Sequence, residues 1–221
     1  MHIEAGVVDG AKTLRSYATA AGAAGVAAKL CDDDLKDNSA TSFVARITVA
    51  TALVFIFFGA LPHYPVGVSE VHFILGTTLF LIFGIAPAAL GLALGLLGQG
   101  ALFVPGDLPH YFMTMTTLLV PLFGIGLLAK RIITPGTAYV DLTYRQALAL
   151  SVAYQGGMVA LAAFYGQGFG ADNVGAMLIF GAAYAVVVAP IADLAVLAGA
   201  KAGRDLLDRT GLTHSRLHGP A

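Results

Sequence analysis

The sequence predicts an all-α polytopic membrane protein, a bundle of about seven transmembrane helices. Of its 221 residues, 57% are hydrophobic and only 11% are charged, whereas soluble domains carry about 25% charged residues. The mean hydropathy of +0.81 points the same way. At about 20 residues per span plus turns, this length accommodates roughly seven helices. We therefore expect one transmembrane domain over residues 1–200, a polar cytoplasmic tail at 201–221, and a location in the cell membrane, in contact with the lipid bilayer.

The longest apolar run must contain a break. Residues 71–104 include no Asp, Glu, Lys or Arg, and as one helix they would be about 50 Å long, too long for a hydrocarbon core of about 30 Å. The central GIAPAALG places Pro87 between glycines, which predicts two short helices that meet at a turn. The stretch 8–30 is the least hydrophobic and is expected to lie inside the bundle, away from lipid. The predicted spans are 8–30, 43–60, two within 71–104, 112–129, 146–165 and 174–200.

The basic residues determine the predicted orientation. Ten of the twelve Lys and Arg residues fall in three segments, which alternate with segments that contain neither. Because cytoplasmic loops carry the excess of Lys and Arg, this alternation predicts an N-terminus outside and a C-terminus in the cytoplasm, with Lys12 and Arg15 as exceptions. The basic segments are 29–46, 130–145 and 201–221, and the alternating segments are 61–70, 105–111 and 166–173.

Several classes of function have no basis in the sequence. A net charge of −1 does not favour binding to nucleic acid, and Cys31, the single cysteine, excludes an internal disulfide. The chain contains no Walker motif, no HExxH and no GxSxG, and its spans contain no paired carboxylates. We therefore expect neither an ATPase nor an intramembrane hydrolase, and no cofactor for catalysis.

The histidines on the predicted outer side are the candidate functional residues. His72 stands at the head of the run 71–104 and is expected to enter the membrane, where polar groups are costly and usually serve a function. The alternative is a histidine that caps a helix. His63 and His110 lie in loops beside Pro and Tyr and are expected at the surface or interface. The outer histidines are His2, His63, His72 and His110.

The charged and polar residues on the predicted inner side are expected to be solvated. The acidic cluster CDDDLKD at 31–37 is predicted to be a loop. His214 and His218 lie in the polar stretch THSRLHGPA, where a disordered or solvated role is expected. By contrast, Asp193 lies within the last span, where it is expected either to pair with a donor on another helix or to orient a ligand.

The first predicted helix has small residues at a spacing of four, at Ala20, Ala24 and Ala28. Such residues let helix backbones approach closely in lipid. We interpret them as an internal packing face in preference to a docking face for a partner.

The amino end has the composition of a metal chelate. A free Met1 amine, the amide nitrogen of His2 once a metal has displaced its proton, and a ring nitrogen of His2 are three nitrogens in a fixed arrangement. One further imidazole completes a plane of four, a geometry that suits Ni(II) and Cu(II). His72 is the natural fourth ligand because it is on the outer side and membrane-embedded, and residues 1–7 would fold down to it. The competing interpretation is that His2 is a chance residue.

Three stretches together resemble a known family. They are MHIEAG at the start, VH at 71–72 and LLGQGALFVPGD at 96–107. Over roughly residues 1–200 the chain resembles the CbiM/NikM family, the substrate-specific membrane subunits (S-components) of cobalt and nickel energy-coupling factor (ECF) ABC transporters. The resemblance implies an N-terminal loop that inserts into a helical bundle, and a metal site formed by Met1, His2 and His72.

The resemblance also implies cargo and partners. A member captures Ni(II) or Co(II) from outside and works with a transmembrane coupling subunit and cytoplasmic ATP-binding subunits, in some cases with a small additional membrane subunit. The residues leave other functions open: a stand-alone permease for copper or another divalent cation, or a non-transporting metal-binding membrane protein such as a receptor. A permease would move metal without coupling subunits, and a receptor would tolerate the loss of His2.

Overall fold

The protein is a bundle of helices with a small sheet, which is formed by a strand before the first helix and two strands between the second and third helices. In the computed structural model the described residues are 2–3, 10–59, 64–66, 69–72, 74–165, 175, 179, 181–183, 187 and 189–219, with the backbone alone at 2–3, 64–66 and 69–71. The prediction of an all-α fold is confirmed. The helices of the described residues are α1 (Gly10–Asp37), α2 (Ala40–Gly59), α3 (Gly76–Phe83), α4 (Ile85–Leu102), α5 (Tyr111–Ile132), α6 (Tyr144–Tyr165), α7 (Ala189–Ala202) and α8 (Arg204–Asp208).

Three short strands add a feature that the hydropathy pattern did not predict. They are β1 (His2–Ile3), β2 (Tyr64–Val66) and β3 (Ser69–Val71), in the spatial order β1-β3-β2 with both pairings antiparallel. Two 3₁₀ helices complete the described elements, at Pro105–His110 and Tyr139–Asp141.

Four of the described helices are long and apolar enough to cross a membrane. They are α2, α4, α5 with the 3₁₀ helix before it, and α6. The eight residues of α3 rise only about 12 Å, which is too short to cross. Of the last predicted span, 174–200, the structure describes only parts. Seven spans and an outward N-terminus therefore remain predictions.

The predicted break in the run 71–104 lies at Gly84. α3 ends at Phe83 and α4 begins at Ile85, and the φ of Gly84 is +91°, a backbone conformation that favours glycine. Pro87 lies in the first turn of α4, where a missing N–H is tolerated because first-turn amides have no intrahelical partner. The glycine makes the break, and the proline fits the start of the second helix.

Local signals explain where two helices begin. Before α6, the side chain of Gln146 accepts the Thr143 N–H at 2.9 Å, and Thr143 Oγ1 accepts the Gln146 N–H at 3.3 Å. This reciprocal arrangement is a capping box. Before α2, Ser39 Oγ accepts the Ser42 N–H at 3.2 Å, the bond of an N-cap serine. Both helices therefore start where short polar side chains replace missing backbone partners.

Small residues bring α2 and α4 together. A Cβ at Gly91 would meet Ala50 Cβ at 2.6 Å, and one at Gly95 would meet Val54 Cγ1 at 2.6 Å. This close approach is the helix packing that small residues permit in membranes. α4 also packs against α1, α3 and α5, so it lies at the centre of the described bundle.

The interpretation of the first helix is wrong in one respect. α1 was expected inside the bundle, but in this chain most of its residues are exposed, and the buried ones are Ser16, Ala20, Ala23 and Ala27. Ala20 packs inward as predicted, whereas Ala24 and Ala28 face outward. Burial follows a spacing of three and four residues, as on one face of a helix, and a uniform spacing of four drifts away from that face.

Candidate metal centre

His72 lies where β3 leads into α3. Its side chain is 3% exposed, and its ring packs against Phe58 of α2 with ring centroids 4.9 Å apart. The N-cap of α3 is Leu75, so His72 does not cap that helix, and the helix-cap alternative is wrong for α3. The imidazole is therefore part of the bundle interior, at the end of the short sheet.

The segment after His72 is fixed to α6. Gln155 Nε2 donates a hydrogen bond to the Ile74 carbonyl at 2.7 Å, and both groups are buried. A Cβ at Gly76 would overlap the ring of Tyr154, so the first residue of α3 lies directly against that ring. These contacts hold the backbone on the C-terminal side of His72 in one position.

The strand that contains His2 pairs with the strand that leads to His72. The register of β1 and β3 pairs His2 with Glu70 and Ile3 with Ser69. Paired Cα atoms in an antiparallel ladder are about 4.5–5.5 Å apart, and Glu70 precedes His72 by two residues, about 7 Å along a strand. Because the strands are antiparallel, the amino end of β1 points in the direction in which β3 runs toward His72.

Of the three predicted metal ligands, the structure describes the side chain of His72 alone. Met1, the side chain of His2 and all of His63 lie outside the described residues. Among the residues that the structure does describe, no group of three or more His, Cys, Asp and Glu side chains could hold a metal ion. The chelate of Met1, His2 and His72 stays a prediction.

His110 is buried, so the expectation of a residue at the surface or interface is wrong. It ends the 3₁₀ helix before α5 and is 9% exposed. The loop signal LPHYF correctly marked a connection between helices. However, the short 3₁₀ helix packs against α4 and α5, which removes His110 from solvent.

Asp193 pairs with a donor on another helix, as one of the two expectations proposed. Thr78 Oγ1 of α3 donates a hydrogen bond to Asp193 Oδ1 of α7 at 2.5 Å, and Asp193 is 1% exposed. α3 is thus connected to α6 near its start and to α7 two residues further on. These polar contacts position the helix that follows His72.

The other end of α3 is held by a buried cluster, which we call the inner cluster: Asp34, Arg46, the Phe83 carbonyl and His214. Arg46 donates to Asp34 Oδ2 at 3.1 Å and to the Phe83 carbonyl at 2.7 Å, and the Arg46 side chain is 0% exposed. The prediction of a solvated loop at 31–37 is therefore wrong: these residues form the last turns of α1. Asp32 and Asp33 face solvent, but Asp34 faces Arg46.

The tail folds back onto the bundle, so the solvated role expected for His214 and His218 is also wrong. The His214 N–H donates to the Ile82 carbonyl at 2.6 Å, and burial, together with the charge of Arg46, lowers the pKa of His214 to about 4. The ring nitrogens of His218 lie 2.5 Å from Asp208 Oδ1 and 3.1 Å from the Ala200 carbonyl. No local signal in a polar stretch of this length distinguishes a docked tail from a free one.

Comparisons with known proteins agree on family and fold. A family model described as cobalt uptake substrate-specific transmembrane region matches residues 2–201. A crystal structure of a truncated transition metal transporter has 18% identity and a TM-score of 0.68, covering 95% of this chain and 99% of its own. A second transition metal transporter has 17% identity and a TM-score of 0.64, with 95% and 94% covered. At these identities the two structures establish a shared fold. No curated protein matches the sequence significantly.

Proposed function

Because the chain belongs to the family of cobalt uptake substrate-specific transmembrane proteins, we propose that it is the substrate-capturing subunit of an ECF-type transporter for Ni(II) or Co(II). It is a multi-pass membrane protein of a metal transport family. In the proposed role it binds metal from outside. A transmembrane coupling subunit and cytoplasmic ATP-binding subunits then drive uptake. The metal is the cargo, so the chain needs no cofactor for catalysis.

The proposed site consists of the Met1 amine, the amide and ring nitrogens of His2, and the ring of His72. The observation that supports it is the pairing of β1 with β3 in the register that sets His2 opposite Glu70, two residues before His72. The predicted chelate requires an amino end that folds down to a buried imidazole. A strand pairing is a specific way to achieve that approach, because the ladder fixes direction and register together.

The chemistry of these donors makes binding pH-dependent. An α-amine has an unperturbed pKa near 8 and an imidazole near 6.5, and each must lose its proton before it binds a metal. Affinity should therefore fall as the pH drops through this range. The burial of His72 against Phe58 limits the access of water to the metal and favours binding of a dehydrated ion.

The decisive experiment changes the position of the amine and leaves every side chain unchanged. One glycine is added before Met1, and in the matched control one glycine is added after Ala221. Ni(II) and Co(II) affinities of the purified proteins are measured by titration calorimetry. We expect stoichiometric binding in the native and control proteins and a loss of at least about 10-fold to 100-fold in the N-terminally extended protein, since a lost ligand should cost no less than a lost outer-shell contact. Equal affinity in the two extended proteins would exclude the amine as a ligand.

A second pair of variants tests the imidazole in the same assay. His72→Ala should abolish binding, whereas His110→Ala removes a buried histidine that the proposed site does not include. Unfolding curves of both variants show whether each remains folded. If a folded His72→Ala protein keeps native affinity, the site lies elsewhere.

Transport by the isolated chain separates the proposed role from a stand-alone permease. The purified protein is reconstituted alone into vesicles, and metal uptake is followed with and without an imposed gradient. The proposal predicts binding without net transport, because coupling subunits are absent. Sustained uptake by the chain alone would favour the permease.

A further inference from the structure

A cleft of about 410 Å³ opens between α1, α5 and the tail, next to the break at Gly84. The walls of the cleft include the C-terminal parts of α1 and α5 together with the tail. The cleft is remote from His72, because His72 precedes α3 whereas Gly84 follows it. The cleft has an apolar part and a polar part, and no step of metal capture proposed above uses it. Val26 and Leu30 of α1 and Phe123 and Leu127 of α5 form much of the apolar part.

The apolar and polar parts are separated along the helix axes. α1 and α5 run in the same direction, because Tyr17 packs on Phe112 with ring centroids 5.3 Å apart, while further along the two helices Leu30 and Leu127 line the same cleft. On α1 the lining changes from Val26 to Asp37 over about 16 Å.

The same change occurs on α5. The residues of α5 that line the cleft change from the apolar Phe123 to the charged Lys130 over about 10 Å along the helix axis. Both walls therefore become polar toward the same end, the end that contains the inner cluster and the tail. A ligand with an apolar body and a polar head matches this gradient.

The side of the cleft is exposed and apolar. Val26 is 46% exposed and Leu127 is 63% exposed, and both line the cleft. In a membrane-spanning bundle, exposed apolar side chains face acyl chains, since exposing them to water would be unfavourable. Lys130 lies less than one turn beyond Leu127, as expected for the boundary between hydrocarbon and headgroups. The cleft is thus accessible from the lipid phase.

The polar end carries a net positive charge. Lys130 and Arg216 contribute two positive charges and Asp37 one negative charge, while His214 is uncharged at neutral pH because its pKa lies near 4. The guanidinium of Arg216 is held over the ring of Tyr139, 4.9 Å from the ring centroid, so its position is fixed by packing. Basic pockets between helices on the cytoplasmic side of a membrane bind anionic headgroups.

We propose that this cleft binds one anionic phospholipid from the leaflet on the side of the tail. One acyl chain lies along Val26, Leu30, Phe123 and Leu127, and the phosphate lies between Lys130 and Arg216. The lipid would cover the gap between α1 and α5 and would connect both helices to the tail. This inference does not depend on which metal the protein binds, or on whether it binds one.

The test compares two lipids that differ in headgroup charge alone. The purified full chain is examined by native mass spectrometry with phosphatidylglycerol or phosphatidylcholine of identical acyl chains. We expect a several-fold higher occupancy for phosphatidylglycerol, and a fall to the phosphatidylcholine level in Lys130→Glu. The matched control is Arg131→Glu, which makes the same charge change at the next residue, exposed and outside the cleft lining. Equal occupancy of the two lipids, or equal loss in both variants, would overturn the proposal.

Two further arms distinguish the acyl contact from the headgroup contact. Val26→Trp fills the exposed side of the cleft and should reduce occupancy, whereas Val44→Trp, at an exposed site on α2, should not. Glycerol phosphate, which has the charge without the chains, should not displace the lipid at equal concentration. Displacement by glycerol phosphate would show a site for phosphate alone and would contradict the lipid assignment.

Discussion

Arg46 brings a full positive charge into the interior of the bundle, where desolvation costs several kcal/mol. Asp34 compensates the charge, and the Phe83 carbonyl accepts a second hydrogen bond. That carbonyl is available because α3 ends at Phe83, and the last carbonyls of a helix have no intrahelical partner. One arginine therefore neutralises a buried carboxylate and replaces the backbone bond that the helix break removes. The sequence reading assigned Arg46 to a basic segment and did not identify this partner.

Replacement of Arg46 by methionine should destabilise the protein strongly. Arg46→Met leaves the largely buried Asp34 carboxylate without its cationic partner, and loss of one partner of a buried pair costs about 3–5 kcal/mol. The matched control is Lys29→Met, which removes an exposed i,i+4 partner of Asp33 and should cost less than about 0.5 kcal/mol. Both are measured as unfolding free energies in mixed micelles. Similar small losses in the two variants would show that Arg46 and Asp34 do not stabilise the fold.

The break between α3 and α4 is the feature at the scale of elements that the sequence predicted best. An apolar run too long for one span, with Pro87 between glycines, indicated two helices. The structure adds that Gly84 adopts a positive φ and that the Ile82 and Phe83 carbonyls accept hydrogen bonds from the tail and from Arg46. These donors come from residues far along the chain, and a local pattern does not contain them.

A side chain at Gly84 should disturb the break. In Gly84→Ala, the Cβ would meet His214 Cδ2 at 2.6 Å and Arg46 NH1 at 3.2 Å, at a φ of +91°. Backbone strain alone costs about 1–3 kcal/mol. In the control Gly98→Ala, the nearest atom to the new Cβ is 3.7 Å away, and a helical alanine should be neutral or slightly stabilising. Unfolding free energies of the two variants are compared, and a neutral Gly84→Ala would contradict the strained geometry.

At the scale of the whole molecule, the inner cluster joins four parts of the chain. Asp34 belongs to α1, Arg46 to α2, Phe83 to the end of α3 and His214 to the tail. α3 extends from this cluster toward His72, and Gln155 and Asp193 hold it on the way. The proposed metal end and the tail end are thus connected through one short helix.

The inner cluster should make the stability of the whole fold depend on pH. The pKa of His214 is about 4 in the folded chain and near 6.5 in an unfolded chain. Between these values the unfolded chain binds more protons, so stability is full above pH 6.5 and falls as the pH drops toward 4. Arg46 and Arg216 favour the neutral imidazole, whereas Asp34 and Asp37 oppose them.

The measurement is the unfolding midpoint of the native chain and of His214→Gln at pH 7.5, 6 and 5. The native midpoint should fall over this range, and the variant should show a smaller fall, because glutamine does not titrate. Cleavage of the tail by a protease should increase in parallel in the native chain. An identical pH dependence in both proteins would assign the effect to other groups.

The sequence by itself determined that this is an all-α membrane protein, that its long apolar run is broken, and which family it resembles. These properties depend on composition, on periodicity and on short motifs, which a chain carries without reference to its fold. Only the tertiary structure decided that Asp34 pairs with Arg46, that the tail docks at the break, that His110 is buried, and that β1 pairs with the strand before His72. Each of these contacts joins or buries residues through packing between distant segments, and burial in this bundle is a property of the assembled helices.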